Sequence, residues 1–150
     1  MLPKFTDDAR RALSLAEEEA GKVGKMVVST EHILLGLFQD ESTAASAALS
    51  KLGVEKPALE AEVAKLLADP VGKKPRTKVI LSRDAKQAIN ATYEELGDLK
   101  DSVVGTEHLL LGMIKQGGAA AQVLSIFGVD LEKARQAVLG TRSISAATSD

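Results

Sequence analysis

The two histidines of this 150-residue chain, His32 and His108, are the side chains with the most versatile chemistry, and each directly follows a glutamate, Glu31 or Glu107. Imidazole and carboxylate groups together can bind Zn²⁺ or transfer protons. Consecutive residues of a helix point about 100° apart, however, so neighbouring Glu and His do not easily face one ion. We therefore favour a structural role for both histidines, in which each packs beside a helix cap and bonds a backbone group of the neighbouring segment. Metal binding and acid–base catalysis are the alternatives.

Both histidines lie in a ten-residue motif that occurs twice. Residues 27–36, VVSTEHILLG, return 76 positions later as residues 103–112, VVGTEHLLLG, with eight of ten positions identical. Farther along, residues 52–54 match residues 127–129 at an offset of 75. Self-similarity of this extent indicates a tandem repeat of one supersecondary unit.

Each copy carries the signals of four short helices. Apolar residues recur at spacings of three and four, as on one face of a helix, and Gly53 and Gly128 stand where a third helix ends. Strand signals are nearly absent, and the only candidate, residues 79–81, is interpreted as too short to matter. The sequence therefore predicts an all-α fold of two tandem four-helix repeats. The predicted helix N-caps are Thr6, Thr30, Ser82, Thr106 and Asp130.

The repeats set the predicted domain boundaries. Residues 1–67 form the first repeat and residues 80–140 the second. Between them, residues 68–79 are a solvated linker, because this segment contains two prolines, a glycine and four basic residues. Those cations have no aromatic stacking residues nearby, so solvation is favoured over nucleic-acid binding. Residues 141–150 are interpreted as a flexible tail or the start of another linker.

The composition excludes several classes of protein. Without cysteine there are no disulfides, thiol catalysis or Cys-ligated zinc. A net charge of −2 opposes a general polyanion binder. No stretch approaches the roughly 18 apolar residues of a membrane span, and the first residues do not read as a signal peptide, so we expect a cytoplasmic protein without membrane contact. Gly21, Gly24 and Gly72 precede lysines but have no glycine five positions earlier, so the chain contains no Walker A ATPase motif.

The Thr-Glu pair that opens each motif helix, Thr30-Glu31 or Thr106-Glu107, is the candidate ligand site. Free N–H groups and the positive end of the helix dipole favour an anion there, and the hydroxyl can donate a hydrogen bond. The carboxylate repels a bare phosphate but attracts a guanidinium, so the pair suits a ligand with both charges. Capping alone is the favoured alternative, since a threonine N-cap contributes about 1 kcal/mol and a first-turn glutamate complements the dipole.

The TEHILLGL segment at Thr30 and its twin at Thr106, each preceded by a matching first helix such as residues 5–13, resemble the Clp N-terminal repeat domain, especially its ClpC type. The resemblance covers about residues 5 to 140. It implies a pseudo-two-fold, all-α domain in front of an AAA+ unfoldase ring, cytoplasmic or in a plastid stroma if plant-type. It also implies that the Thr-Glu pairs correspond to a phosphoarginine pocket. Ser29 departs from the family motif, which has glycine there.

The resemblance favours a non-catalytic binding module without a cofactor, which receives adaptor proteins and unfolded or tagged substrates for a protease. A free-standing Clp-repeat regulator that binds the Clp machinery or sequesters clients is the alternative. A small His/Glu metalloenzyme is the third hypothesis. Partners are expected on the repeat surfaces and in the groove between them. Phe5 and Leu81 precede the two first-helix caps at equivalent positions, and either staple their helices, the favoured interpretation, or extend this groove.

Overall fold

The computed structural model describes residues 4–22, 27–40, 42–67 and 80–148. The all-α prediction is confirmed, with four helices in each repeat. The helices are α1 (Asp7–Lys22), α2 (Thr30–Gln39), α3 (Ala44–Lys51), α4 (Lys56–Leu67), α5 (Arg83–Asp98), α6 (Thr106–Gln116), α7 (Ala119–Ile126) and α8 (Leu131–Thr148). The short strands are β1 (Lys4–Phe5), β2 (Val27–Val28), β3 (Ile80–Leu81) and β4 (Val103–Val104).

Three predicted N-caps are confirmed by their hydrogen bonds. Thr6 Oγ1 accepts a bond from Ala9 N at 3.0 Å. Ser82 Oγ accepts one from Ala85 N, also at 3.0 Å. Asp130 Oδ1 accepts one at 2.8 Å from the backbone N–H of the third residue of α8. Each bond satisfies a first-turn N–H that has no partner inside its helix.

The predicted caps of the two motif helices are wrong by one residue. Ser29 is the N-cap of α2 and Gly105 the N-cap of α6, both with extended backbone. Thr30 and Thr106 are instead the first residues of their helices. Their hydroxyls are used elsewhere, so they do not close their own first turns.

The ends of the helices partly follow the prediction. Gly53 and Gly128 have φ of +83° and +78°, the left-handed conformation in which glycine commonly ends a helix, and this prediction is confirmed. In contrast, α8 continues to Thr148, so residues 141–148 of the expected tail are helical. The polar residues after 140 do not interrupt the helix. The predicted linker, residues 68–79, lies outside the described residues.

The four short strands join the two repeats reciprocally, so the interpretation of residues 79–81 as unimportant is wrong. β1 of the first repeat pairs in parallel with β4 of the second, and β3 of the second pairs in parallel with β2 of the first. The two strand pairs have the same register once the 76-residue offset between the repeats is applied. The paired residues are Lys4 with Val103, Phe5 with Val104, Val27 with Ile80, and Val28 with Leu81.

The helices continue this exchange between repeats. α8 packs against α3 of the first repeat, and α4 packs against α7 of the second. One continuous apolar core therefore includes residues of both repeats. Among the described residues no single helix has the length and hydropathy of a membrane span. Taken together, α6 and α7 do reach that length and hydropathy, but they are bent by 94° relative to each other.

An ion pair also fixes α8 to α5. Glu95 has no exposed side-chain surface. Arg135 Nε donates a hydrogen bond to Glu95 Oε2 at 3.2 Å, and Arg135 Nη2 donates one to Glu95 Oε1 at 2.5 Å. The bonds to this carboxylate raise the pKa of Arg135 above its usual value. A buried carboxylate needs such a partner, because an unpaired buried charge is strongly destabilising.

Glycines allow the close approach of the first two helices in each repeat. A Cβ at Gly36 would lie 2.2 Å from the Ala12 carbonyl oxygen, across the α1–α2 contact. A Cβ at the equivalent Gly112 would lie 2.1 Å from Thr92 Oγ1, across the α5–α6 contact. These distances are far below van der Waals contact, so the α2 and α6 motif helices are positioned by the absence of a side chain.

We expect Gly36→Ala and Gly112→Ala each to lower the free energy of unfolding by about 1–3 kcal/mol, because the added methyl separates two helices. Urea denaturation followed by circular dichroism measures the change. Gly21→Ala and Gly97→Ala are the matched controls, since a Cβ there meets nothing within 4 Å. These controls should be neutral or stabilising by up to about 1 kcal/mol. Equal effects of both pairs would contradict the packing argument.

Candidate functional site

The candidate site occurs twice, at the N-terminus of each motif helix. We call residues 29–32 the first site and residues 105–108 the second site. Their N-cap residues have nearly the same backbone conformation, with φ −105° and ψ 175° at Ser29 and φ −102° and ψ 179° at Gly105. The two sites can therefore be compared atom by atom.

The histidines cap the helices on which they lie. His32 Nδ1 accepts a hydrogen bond from Ser29 N at 2.9 Å, and His108 Nδ1 accepts one from Gly105 N at 2.8 Å. Each histidine is the third residue of its helix, the position at which Glu or Gln closes a capping box. Both rings are buried. Each histidine therefore packs beside a cap and bonds a backbone group, as expected, but that group belongs to the N-cap of its own helix.

The second site adds a carboxylate to its histidine. Because Nδ1 of His108 accepts a hydrogen bond, the neutral ring carries its proton on Nε2. This Nε2 lies 2.7 Å from Asp101 Oδ2, so the ring donates to the aspartate. The sequence position equivalent to Asp101 in the first repeat is Lys25. At this sequence position the two repeats therefore carry opposite charges.

The threonines hold the two repeats together. Thr30 Oγ1 accepts a hydrogen bond from Ala120 N at 3.2 Å, and Thr106 Oγ1 accepts one from Ala45 N at 3.1 Å. These amides lie in the first turns of α7 and α3, so each motif helix caps a helix of the opposite repeat. Thr30 is 1% exposed and Thr106 2%. The hydroxyl oxygens are acceptors in this inter-repeat contact, and the glutamates form the more accessible part of each site.

The glutamates of the two sites lie in different surroundings. The Glu107 side chain is 15% exposed, and its Oε1 lies 3.8 Å from His108 Nδ1. Glu31 Oε1 is buried and has no hydrogen-bond partner among the described residues. Charge-assisted hydrogen bonds to a carboxylate are about twice as strong as neutral hydrogen bonds. A guanidinium ligand would therefore form its strongest hydrogen bonds with the glutamate carboxylate that it can reach.

The other two predicted site residues lie in the inter-repeat strands. Phe5 is in β1, and its ring packs edge-on against Tyr93 of α5, with centroids 6.2 Å apart. Leu81 is in β3 and packs, partly buried, against the core. The ring contact between Phe5 and Tyr93 therefore joins the two repeats. Sequence spacing alone did not reveal this contact, because the exchange of strands has no local sequence signal.

The fold and the repeated sites define a duplicated helical domain whose two halves are joined by reciprocal contacts. This chain belongs to the Clp repeat (R) N-terminal domain family, whose model matches residues 4–125. The chain spans about one sixth of the curated relatives that it matches, since it covers 17% of each of the two relatives described next.

The relatives come from more than one type of Clp protein. The chain is 44% identical over 140 residues, 93% of its length, to the chaperone protein ClpB of Oceanobacillus iheyensis. It is 41% identical, again over 140 residues and 93% of its length, to the negative regulator of genetic competence ClpC/MecB of Bacillus subtilis. The comparison therefore shows the family without distinguishing a ClpC type from a ClpB type.

Solved structures share the fold at low identity. The Hsp104 N-terminal domain of Candida albicans matches with a TM-score of 0.77 and 18% identity, covering 93% of this chain and 91% of that one. A ClpV N-domain in complex with a VipB peptide matches with a TM-score of 0.60 and 16% identity, covering 75% of this chain and 68% of that one. These similarities confirm the fold.

We expect Thr30→Val and Thr106→Val each to lower the free energy of unfolding by about 1–3 kcal/mol, because a buried N–H loses its acceptor. Thr30→Ser and Thr106→Ser are the controls, since they keep the oxygen and lose only a methyl group. Hydrogen exchange at Ala120 and Ala45 should accelerate in the valine variants. Valine variants as stable as the serine variants would show that the inter-repeat bonds contribute little.

Proposed function

We propose that this chain is the substrate- and adaptor-binding N-terminal domain of a ClpC-type AAA+ unfoldase that feeds a Clp protease, and that it recognises clients marked by phosphoarginine. The observation that carries the proposal is the duplicated Thr-Glu-His helix start in a chain of the Clp repeat family. The complex of a ClpV N-domain with a peptide supports a peptide-binding role for this fold.

The two charges of the proposed ligand match the chemistry of a motif-helix start. The first amides of each helix, at Thr30-Glu31 and Thr106-Glu107, have no acceptor within the helix and favour the phosphoryl group. The glutamate carboxylate pairs with the guanidinium, which is planar and can donate two parallel hydrogen bonds. An unmodified arginine offers only the second interaction. A phosphate offers only the first.

The buried residues of each site act as its support. The histidine fixes the N-cap backbone, and the threonine attaches the helix start to the opposite repeat. Both imidazoles use Nδ1 as a backbone acceptor, which removes that nitrogen from proton transfer. The arrangement therefore favours binding over catalysis. The client would then pass to an AAA+ ring, in the cytoplasm or in the stroma for a plant-type relative.

We expect phosphoarginine to shift the amide signals of residues 30–31 or 106–107, or both, in a ¹⁵N NMR titration of the full chain. Glu31→Ala combined with Glu107→Ala should abolish the shifts with unchanged helical content, because the guanidinium loses its carboxylate partner. Glu18→Ala combined with Glu94→Ala is the matched control, since it removes two exposed charges at equivalent positions away from both sites. Unchanged spectra of the parent chain at saturating phosphoarginine would reject the proposal.

A second measurement tests the client itself. An unfolded protein phosphorylated on arginine should bind the full chain more tightly than the same protein without phosphate, and free phosphoarginine should compete. Equal binding of both forms would leave a general peptide-binding domain and reject phosphoarginine recognition.

A further inference from the structure

Within the two sites, one residue differs. The first site reads Ser-Thr-Glu-His and the second reads Gly-Thr-Glu-His, so the difference falls on the N-cap, Ser29 or Gly105. The backbone angles of these two residues agree within a few degrees. A Cβ at position 105 would consequently point in the same direction as the Cβ that Ser29 already has.

That Cβ position is occupied in the second site. An ideal Cβ on Gly105 would lie 2.0 Å from Glu107 Oε1 and 3.0 Å from its Cδ. The carboxylate of Glu107 thus lies over the bare face of the glycine. In the first site the Cβ of Ser29 fills the equivalent volume, so the Glu31 carboxylate is excluded from it.

The position of Glu31 agrees with this exclusion. Its Oε1 is buried without a hydrogen-bond partner among the described residues, although Glu31 as a whole residue is half-buried, as Glu107 is. The first site therefore contains the glutamate of the motif without presenting that oxygen to a ligand.

We infer that the N-cap residue determines which site binds, and that Gly105 makes the second site competent for a guanidinium ligand while Ser29 closes the first. This inference rests on the proposed function, since it assigns that ligand to one of the two sites. In the second site Asp101 adds a second carboxylate, which accepts a hydrogen bond from His108.

A ¹⁵N NMR titration of the full chain with phosphoarginine tests the inference. In the parent chain we expect saturable shifts at Thr106 and Glu107 and none at Thr30 and Glu31. Ser29→Gly should add a second set of shifts, at the first site. Gly105→Ser should weaken binding at the second site by roughly tenfold or more, because the ligand loses a charge-assisted pair.

Alanine variants separate the effect of Cβ from that of the hydroxyl. Ser29→Ala keeps the Cβ and should leave the first site closed, and Gly105→Ala should weaken the second site as Gly105→Ser does. Circular dichroism and urea denaturation verify that each variant is folded. The combined Ser29→Gly and Gly105→Ser variant should move binding to the first site, which excludes a general loss of structure as the cause.

Two results would overturn the inference and leave the proposed function intact. One is equal response of both sites in the parent chain, and the other is a second site that binds equally well with Gly, Ala or Ser at position 105. A response at neither site, in both the parent chain and Ser29→Gly, would instead reject phosphoarginine recognition together with this assignment.

Discussion

The reciprocal hydrogen bond between a buried threonine and the opposite repeat is the constraint on which this structure depends. Thr30 holds the start of α7 and Thr106 holds the start of α3. Neither bond can form within one repeat, and each satisfies an amide in the first turn of a helix. The strand pairs have the same property, because every partner belongs to the other repeat. We therefore expect the two repeats to unfold as one cooperative unit rather than as two linked domains.

The sequence predicts the local elements well. Caps such as Thr6 and Ser82 and terminators such as Gly53 are local features, because their hydrogen bonds or backbone angles involve a few neighbouring residues. Periodic apolar residues likewise indicate each helix without knowledge of its partners. The duplication itself is visible as self-similarity. These signals are sufficient for the all-α fold and its order of helices.

The errors all concern partners that are distant in sequence. Thr30 looks like a cap for its own helix, but its acceptor role serves an amide 90 residues away. Residues 80–81 alone look too short to form a strand. Their pairing partner, residues 27–28, belongs to the other repeat and is not visible from the local sequence. α8, whose helix continues beyond residue 140, packs as a whole against α3 of the first repeat. Spacing along one segment contains no information on such partners.

Duplication also explains why the two sites can diverge while the fold stays symmetric. The inter-repeat bonds use Thr30 and Thr106, which are identical in the two copies, and the N-cap backbone keeps one conformation with either serine or glycine. A substitution at the N-cap therefore changes the position of the neighbouring carboxylate without disturbing the contact between repeats. In the second site Glu107 directly follows the threonine that holds α3. A ligand bound to that carboxylate would favour the folded helix start, and by mass action it would stabilise the docking of the two repeats.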